Sequence, residues 1–163
     1  MESLKITVEC LRDLVAFHHE RVAGYRTMME SLAGDEQHLF TLFNAFIAQS
    51  SVMGEELSNL SAEWGWNGEK LEDNGKYGVA WSVVKAVFSS NMPGYLIDRC
   101  RSGENALLIA YHSVESTDGL AESVRLLVNR QKREVIAARE WIAHFESIPA
   151  PRPRQEQPIV AMM

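Results

Sequence analysis

The chain is short of positive charge, cysteine and long apolar runs, and each shortage closes off a class of function. Its 16 Lys and Arg are outnumbered by 22 Asp and Glu, for a formal charge of −6. Nucleic-acid recognition rests on excess cations to neutralise phosphates, so this balance argues against it. No apolar stretch approaches the ~20 residues that span a bilayer. The opening "MESLKITVEC" has an acidic residue at once and no apolar h-region, so no secretory signal is expected. Cys10 and Cys100 form neither a CxxC pair nor a disulfide framework. Free, partly buried thiols in a reducing cytoplasm are the expectation. Also missing are a Gly-rich phosphate loop, a nucleophile elbow and the Cys/His spacing of a zinc site. No stretch alternates apolar and polar residues as a strand would.

What is present is helical periodicity. Apolar residues make up 46% of 163 positions, enough for one core. Leu11, Val15, His18, Val22, Tyr25, Met29 and Leu32 recur at alternating steps of four and three, the seam of a bundle helix spanning 7 to 32. Gly34 is placed to end it in a left-handed cap, and Asp35 to cap a second helix with Glu36 in its first turn. That helix carries the seam Leu39, Phe43, Phe46, Ser50, Met53, Leu57, Leu60, Trp64. A Gly- and Asn-rich loop over 64–78 precedes a short amphipathic helix over 79–90. Asn91 and Pro93 start a third long helix that runs to about Ser116. Thr117 or Asp118 caps a fourth, with the seam Leu120, Val124, Leu127, Gln131, Glu134, Ala138, Trp141, Phe145. The bundle therefore occupies 1–148, and 149–163 is a Pro-rich tail expected to be extended or flexible.

Short turns at 1–2 and 3–4 make those pairs antiparallel neighbours. A long connection between the second and third helices, holding the short one, is the connectivity of a ferritin-like four-helix bundle; an all-antiparallel bundle is the alternative.

Each seam is broken once by polar residues near its middle. At ~100° per residue around the third helix, Glu104 falls about 40° from Cys100, inside the stripe formed by Leu96, Leu107, Tyr111 and Val114. A carboxylate buried alone would cost several kcal/mol and take up a proton instead. His18 interrupts helix 1, Ser50 with Gln49 on its flank helix 2, and Gln131 and Glu134 helix 4. Helices of similar length bring their middles to one level, so a polar layer at half height is expected, with Tyr25 and Tyr111 bonding to it. One imidazole and two carboxylates, His18, Glu104 and Glu134, would suffice for a single Fe, Mn or Zn ion. His38, His112 and His144 fall at helix ends or stripe edges, and Glu55 and Glu56 on the rim.

The segments "LRDLVAFHHERVAGYRTMMESL", "CRSGENALLIAYHSVE" and "VNRQKREVIAAREWI" resemble a family of uncharacterised bacterial four-helix-bundle proteins grouped with the ferritin-like superfamily. The resemblance rests on Gly24-Tyr25, on Arg101-x-Gly-Glu104 followed by Tyr111, and on Arg130-Gln131-x-x-Glu134. It implies the fold and lends no activity. The wider superfamily builds di-iron sites from Glu and Glu-x-x-His. Glu-x-x-His is absent here; the nearest match is Asp35-Glu-Gln-His38 at a helix start, and Ala137 stands where a ligand would follow Glu134. A standard di-iron centre is therefore not expected.

Two functions fit these features. One is a non-catalytic structural or binding protein whose polar layer specifies packing, in which Glu104→Leu would be close to neutral or stabilising. The other is a metal-dependent oxidase or sensor using His18, Glu104 and Glu134. Val79, Val83, Val87 and Phe88 give the short helix an apolar face that could meet a second subunit, so a homodimer is expected, with no membrane or nucleic-acid partner.

Overall fold

The structure, a computed structural model, describes residues 2–65 and 96–146. The short helix expected over 79–90, the start at Asn91 and Pro93, and the tail from Pro149 lie outside the described residues. Four α-helices make up the described part, with no strand among those residues: α1 (Glu2–Glu30), α2 (Leu39–Glu63), α3 (Leu96–Glu115) and α4 (Glu122–Glu146).

The turn between α1 and α2 differs from expectation. Gly34 does not adopt a left-handed conformation; it opens a 3₁₀ turn, Gly34–Glu36. Glu36 closes that turn by accepting a hydrogen bond from the Ala33 N–H at 2.9 Å, and α2 begins only at Leu39. Glycine serves the expected role elsewhere. Gly65, at φ +95°, follows the last turn of α2, and its N–H donates to the Ala62 carbonyl at 3.0 Å.

Neither Thr117 nor Asp118 caps α4. Gly119 turns the chain at φ +86°, and Ala121 precedes the helix. The Ala121 N–H donates to the Thr7 hydroxyl at 3.1 Å, a bond supplied by α1. Arg125 donates to the carbonyls of Glu115 and Thr117, satisfying the exposed end of α3. Across the same junction the Glu115 carboxylate accepts from Lys132 at 2.5 Å and Asn129 at 2.6 Å.

Packing partners set the ring order α1–α2–α4–α3. Contacts between α1 and α2 and between α3 and α4 are the most extensive; α2 against α4 and α1 against α3 close the ring. Every neighbouring pair is antiparallel. His18, Arg21 and Tyr25 of α1 meet Tyr111, Glu104 and Cys100 of α3 in that order. Phe46, Gln49 and Gln131's partner Met53 on α2 meet Trp141, Glu134 and Gln131 on α4. It follows that α2 and α3 point the same way, and that the end of α2 and the start of α3 lie at opposite ends of the bundle.

The buried faces of α2 and α3 are those expected: Leu39, Phe43, Phe46, Ser50, Met53 and Leu57 on one, Leu96, Cys100, Glu104, Leu107, Tyr111 and Val114 on the other. Trp64 and Leu60 pack half-buried against the same core. The faces of α1 and α4 are rotated by about one residue from expectation. On α1 the innermost line is Thr7, Leu11, Leu14, His18, Arg21, Tyr25, Met28. On α4 it is Val124, Val128, Gln131, Val135, Ala138, Ile142, which leaves Trp141 partly exposed and Glu134 on the outside.

Gly119 offers a direct check of the α3–α4 turn. Its φ is left-handed, and a Cβ there would sit 3.2 Å from the Ile6 side chain. Gly119→Ala is expected to lower stability by about 1–2 kcal/mol, read as a shift in the urea midpoint with unchanged slope.

Candidate functional site

Glu104 has a partner that hydrophobic periodicity hides. Arg21, one position before the expected seam residue Val22, turns inward and is as fully buried as Glu104, both side chains at 0% exposure. Its Nη2 donates to Glu104 Oε1 at 2.6 Å and its Nε to Oε2 at 2.9 Å, a two-pronged pairing of planar groups. Tyr25 adds a third donor to Oε2 at 2.6 Å. Nη1 of Arg21 reaches the other way, to Gln49 Oε1 and Ser50 Oγ, each at 2.9 Å. The guanidinium lies 4.8 Å from the centre of the Phe46 ring, and Tyr25 stacks on Phe43 and Phe46 at 5.1 Å. Burial alone would lower the Arg21 pKa, but the adjoining Glu104 carboxylate more than offsets it, so the guanidinium stays charged.

From Ser50 the bonding continues to α3 and α4. Ser50 Oγ lies 2.8 Å from His18 Nδ1, and His18 Nε2 lies 2.7 Å from the Tyr111 hydroxyl. Tyr111 donates to Gln131 Oε1 at 2.6 Å. Gln131 Nε2 then donates to the Met53 carbonyl and to Glu56 Oε1. At the surface Glu56 pairs with Arg130 at 2.7 Å, and Arg130 with Glu134.

The donor count assigns every proton along this path. Tyr111 has one hydrogen and spends it on Gln131, so the Tyr111 oxygen must accept from His18 Nε2–H. His18 Nδ1 is then the acceptor for the Ser50 hydroxyl, which in turn accepts from Arg21. The imidazole is thereby neutral with its proton on Nε2. Burial, followed by the Arg21 charge, holds its pKa well below 6.5.

Of the residues expected in a polar layer, His18, Ser50, Glu104, Gln131, Tyr25 and Tyr111 are all fully buried and joined by these hydrogen bonds, with Gln49 on their flank. Glu134 does not belong to its interior. Its side chain is 46% exposed and paired with Arg130; the physical reason is that Val128, Val135 and Ile142, all apolar, take the inner face of α4 in preference. Glu56, expected on the rim, is half-buried there and ends the network.

The trio His18, Glu104 and Glu134 is accordingly not brought together. Both oxygens of Glu104 are held by Arg21 and Tyr25, and both nitrogens of His18 by Ser50 and Tyr111. Among the described residues no three His, Cys, Asp or Glu side chains converge in a way that could hold a metal ion. His19, His112 and His144 are exposed, and His38 stands half-buried just before α2.

Nucleophiles fare no better. Cys10 and Cys100 are free and buried. Burial pushes the Cys10 thiol up to about 11; burial and then the Glu104 charge push Cys100 to about 12. Neither supplies a thiolate at neutral pH. Cys100 lies 3.3 Å from the Tyr25 hydroxyl, whose own hydrogen goes to Glu104.

No family, curated protein or solved structure matches the chain. The geometry of the network thus carries the functional argument alone. Among the described residues no helix is long and apolar enough to cross a membrane.

The pair also reverses the effect expected for Glu104→Leu. With Arg21 left charged and buried, that change is expected to cost about 3–5 kcal/mol, and so is Arg21→Met. The double variant Arg21→Met/Glu104→Leu is expected to recover most of the loss in chemical denaturation, because no orphan charge remains.

His18 makes a second prediction. Its folded-state pKa is depressed, so its contribution to stability is present above the unfolded value near 6.5 and is lost as pH falls below it. The stability difference between wild type and His18→Gln is expected to shift against wild type by about 1.4 kcal/mol per pH unit below that point. The difference matters because Asp13, pushed up to about 6 by burial, gives an opposing slope common to both proteins.

Proposed function

We propose that this protein is a non-catalytic ferritin-like helical bundle, structural or binding in role, whose buried polar network fixes the register of its four helices. One observation carries the proposal. The groups that could do chemistry, the Glu104 carboxylate and the His18 imidazole, have both oxygens and both nitrogens engaged by side chains of the same chain. No polar atom of either is left without a protein partner.

The network joins all four helices. Sliding α3 by one turn along α1 would carry Glu104 about 5.4 Å from Arg21 and leave two unpaired charges in the core. A packing that strands a buried charge is excluded by several kcal/mol, so a polar layer of this kind selects one arrangement among the many an apolar seam permits.

The ferritin-like reading is supported by the shared direction of α2 and α3, which calls for a connection along the length of the bundle. The reading of this chain as one of the uncharacterised bacterial bundle proteins draws support from where its motif residues meet. Tyr25 bonds to Glu104, Tyr111 to Gln131, and Arg130 to Glu134, all along one path. Buried free thiols suit the reducing cytoplasm expected for such a protein.

Elemental analysis of untagged protein, purified without chelator from cells supplied with iron, manganese and zinc, tests the proposal. The expected outcome is no metal above background. About one equivalent of any of the three that survives dialysis, and is lost in His18→Gln while the fold is kept, would overturn it in favour of an oxidase or sensor.

A further inference from the structure

The two bonds that hold the His18 ring respond differently to a proton. On the α3 side Nε2–H donates to the Tyr111 hydroxyl at 2.7 Å, and it does so whether the ring is neutral or charged. On the α2 side Nδ1 accepts from the Ser50 hydroxyl at 2.8 Å. A proton on Nδ1 turns that acceptor into a donor and leaves the bond with a hydrogen at both ends.

Ser50 is poorly placed to reverse its part. Its oxygen already accepts from Arg21 Nη1 at 2.9 Å. Accepting from an imidazolium as well would set one neutral oxygen between two buried cations. The charged and titratable groups around the ring do not offset the second of them. On α1 these are Arg21 and the exposed His19. On α3 they are Tyr111 and Glu104, and Glu104 is committed to Arg21 and Tyr25. On α2 Glu55 faces the outer groove and Glu56 bonds to Gln131. On α4 Gln131 holds Tyr111, with the Arg130–Glu134 pair beyond it at the surface. No carboxylate among the described residues bonds to the ring.

The α1–α2 contact also lies beside water. A groove of about 990 Å³ runs along the outer side of this helix pair, and His18 and Ser50 both contribute to its lining, with Ser51, Ser58 and Asn59 adding polar groups. Gly54 stands one turn beyond Ser50. A Cβ built on it would sit 3.5 Å from the His18 Cβ, an ordinary separation, so alanine would fit. Glycine is the weaker helix former of the two, and it loosens α2 beside the ring.

We infer that His18 is an acid-sensitive latch: a proton on Nδ1 breaks the contact with Ser50 and lets α2 part from α1 about Ser50 and Gly54, while α1 stays joined to α3. Tyr111 and the Arg21–Glu104 pair keep that second contact. The inference rests on the reading of the network as what holds the helices in register.

The sign follows from the two states. In the closed bundle burial, and then the Arg21 charge, holds the imidazole well below 6.5; in the opened one water restores a value near 6.5. Closure is complete above that pH and weakens as pH falls beneath it, the opened population rising about tenfold per pH unit. Asp13, pushed up to about 6 by burial, acts with the opposite sign and does not imitate the effect.

Hydrogen exchange on the full chain between pH 7 and 5, each rate divided by the intrinsic rate at that pH, tests the latch. Amides of α2 from Ser50 to Leu57 are expected to lose about tenfold in protection per pH unit below 6.5, with those of α3 and α4 unchanged. His18→Gln is expected to abolish the slope, and Gly54→Ala to raise protection at every pH while keeping it. A slope shared by all four helices means global unfolding and overturns the inference, a reading that wild type alone supplies if His18→Gln does not fold. A slope that survives in His18→Gln overturns it too, as does a flat profile in wild type. Failure of the latch leaves the metal content and the cost of Glu104→Leu as they stand, so it is distinguishable from failure of the network reading.

Discussion

One ion pair organises the interior. Arg21 and Glu104 are fully withdrawn from water, on helices more than eighty positions apart in the chain. Neither charge has a tolerable existence without the other, because each would carry most of its desolvation cost unrelieved. The surrounding side chains are arranged around that fact. Tyr25, Gln49 and Ser50 occupy the hydrogen-bonding positions that the pair itself leaves open, and Phe46 covers the face of the guanidinium. Beyond them His18, Tyr111 and Gln131 pass the requirement on, since each buried polar group recruited to satisfy one neighbour needs another. The chain of obligations ends only where Glu56 reaches the surface and Arg130.

How far this was legible in the sequence divides cleanly between the helices. The seams of α2 and α3 are unambiguous, because their apolar residues are bulky and the polar interruptions are few. On α1 and α4 two seams compete, sharing three positions and differing by one residue at the others. On α1, Val15, Val22 and Met29 compete with Leu14, Arg21 and Met28, and apolarity favours the first set because the second contains an arginine. That arginine faces inward, so the rule that charge marks the solvent side points the wrong way there. On α4 the competing set Val128, Val135 and Ile142 is wholly apolar, whereas Leu127, Glu134 and Trp141 include a carboxylate. The sequence therefore held the signal against Glu134, and expecting a layer of inward carboxylates obscured it. A signal for Arg21 was present as well: a carboxylate placed inside an apolar stripe demands a cation somewhere at its level, and Arg21 is the basic residue nearest to His18 on α1.

Burial and reactivity are at odds throughout this molecule. Histidine, glutamate, tyrosine and cysteine are the usual agents of catalysis, and all four are gathered in one interior. Catalytic sites keep such groups partly solvated or next to an open position so that a proton or a bond can move. Here burial raises both thiols and both phenols and leaves the imidazole neutral. The same residue types that make an active centre when left unsatisfied are here bonded to one another.

The path from Arg21 to Glu56 has a direction: each group between them gives a hydrogen toward the surface side and receives one from the next group inward. Gln131 sits at the reversible point, because an amide can present either of its ends. Two acceptors on α2, the Met53 carbonyl and the Glu56 carboxylate, keep the Gln131 N–H₂ facing them and its carbonyl toward Tyr111. Tyr111 therefore keeps a lone pair for the His18 Nε2–H. The tautomer of a histidine sealed within the bundle is thus written by two acceptors that lie three hydrogen bonds away from it.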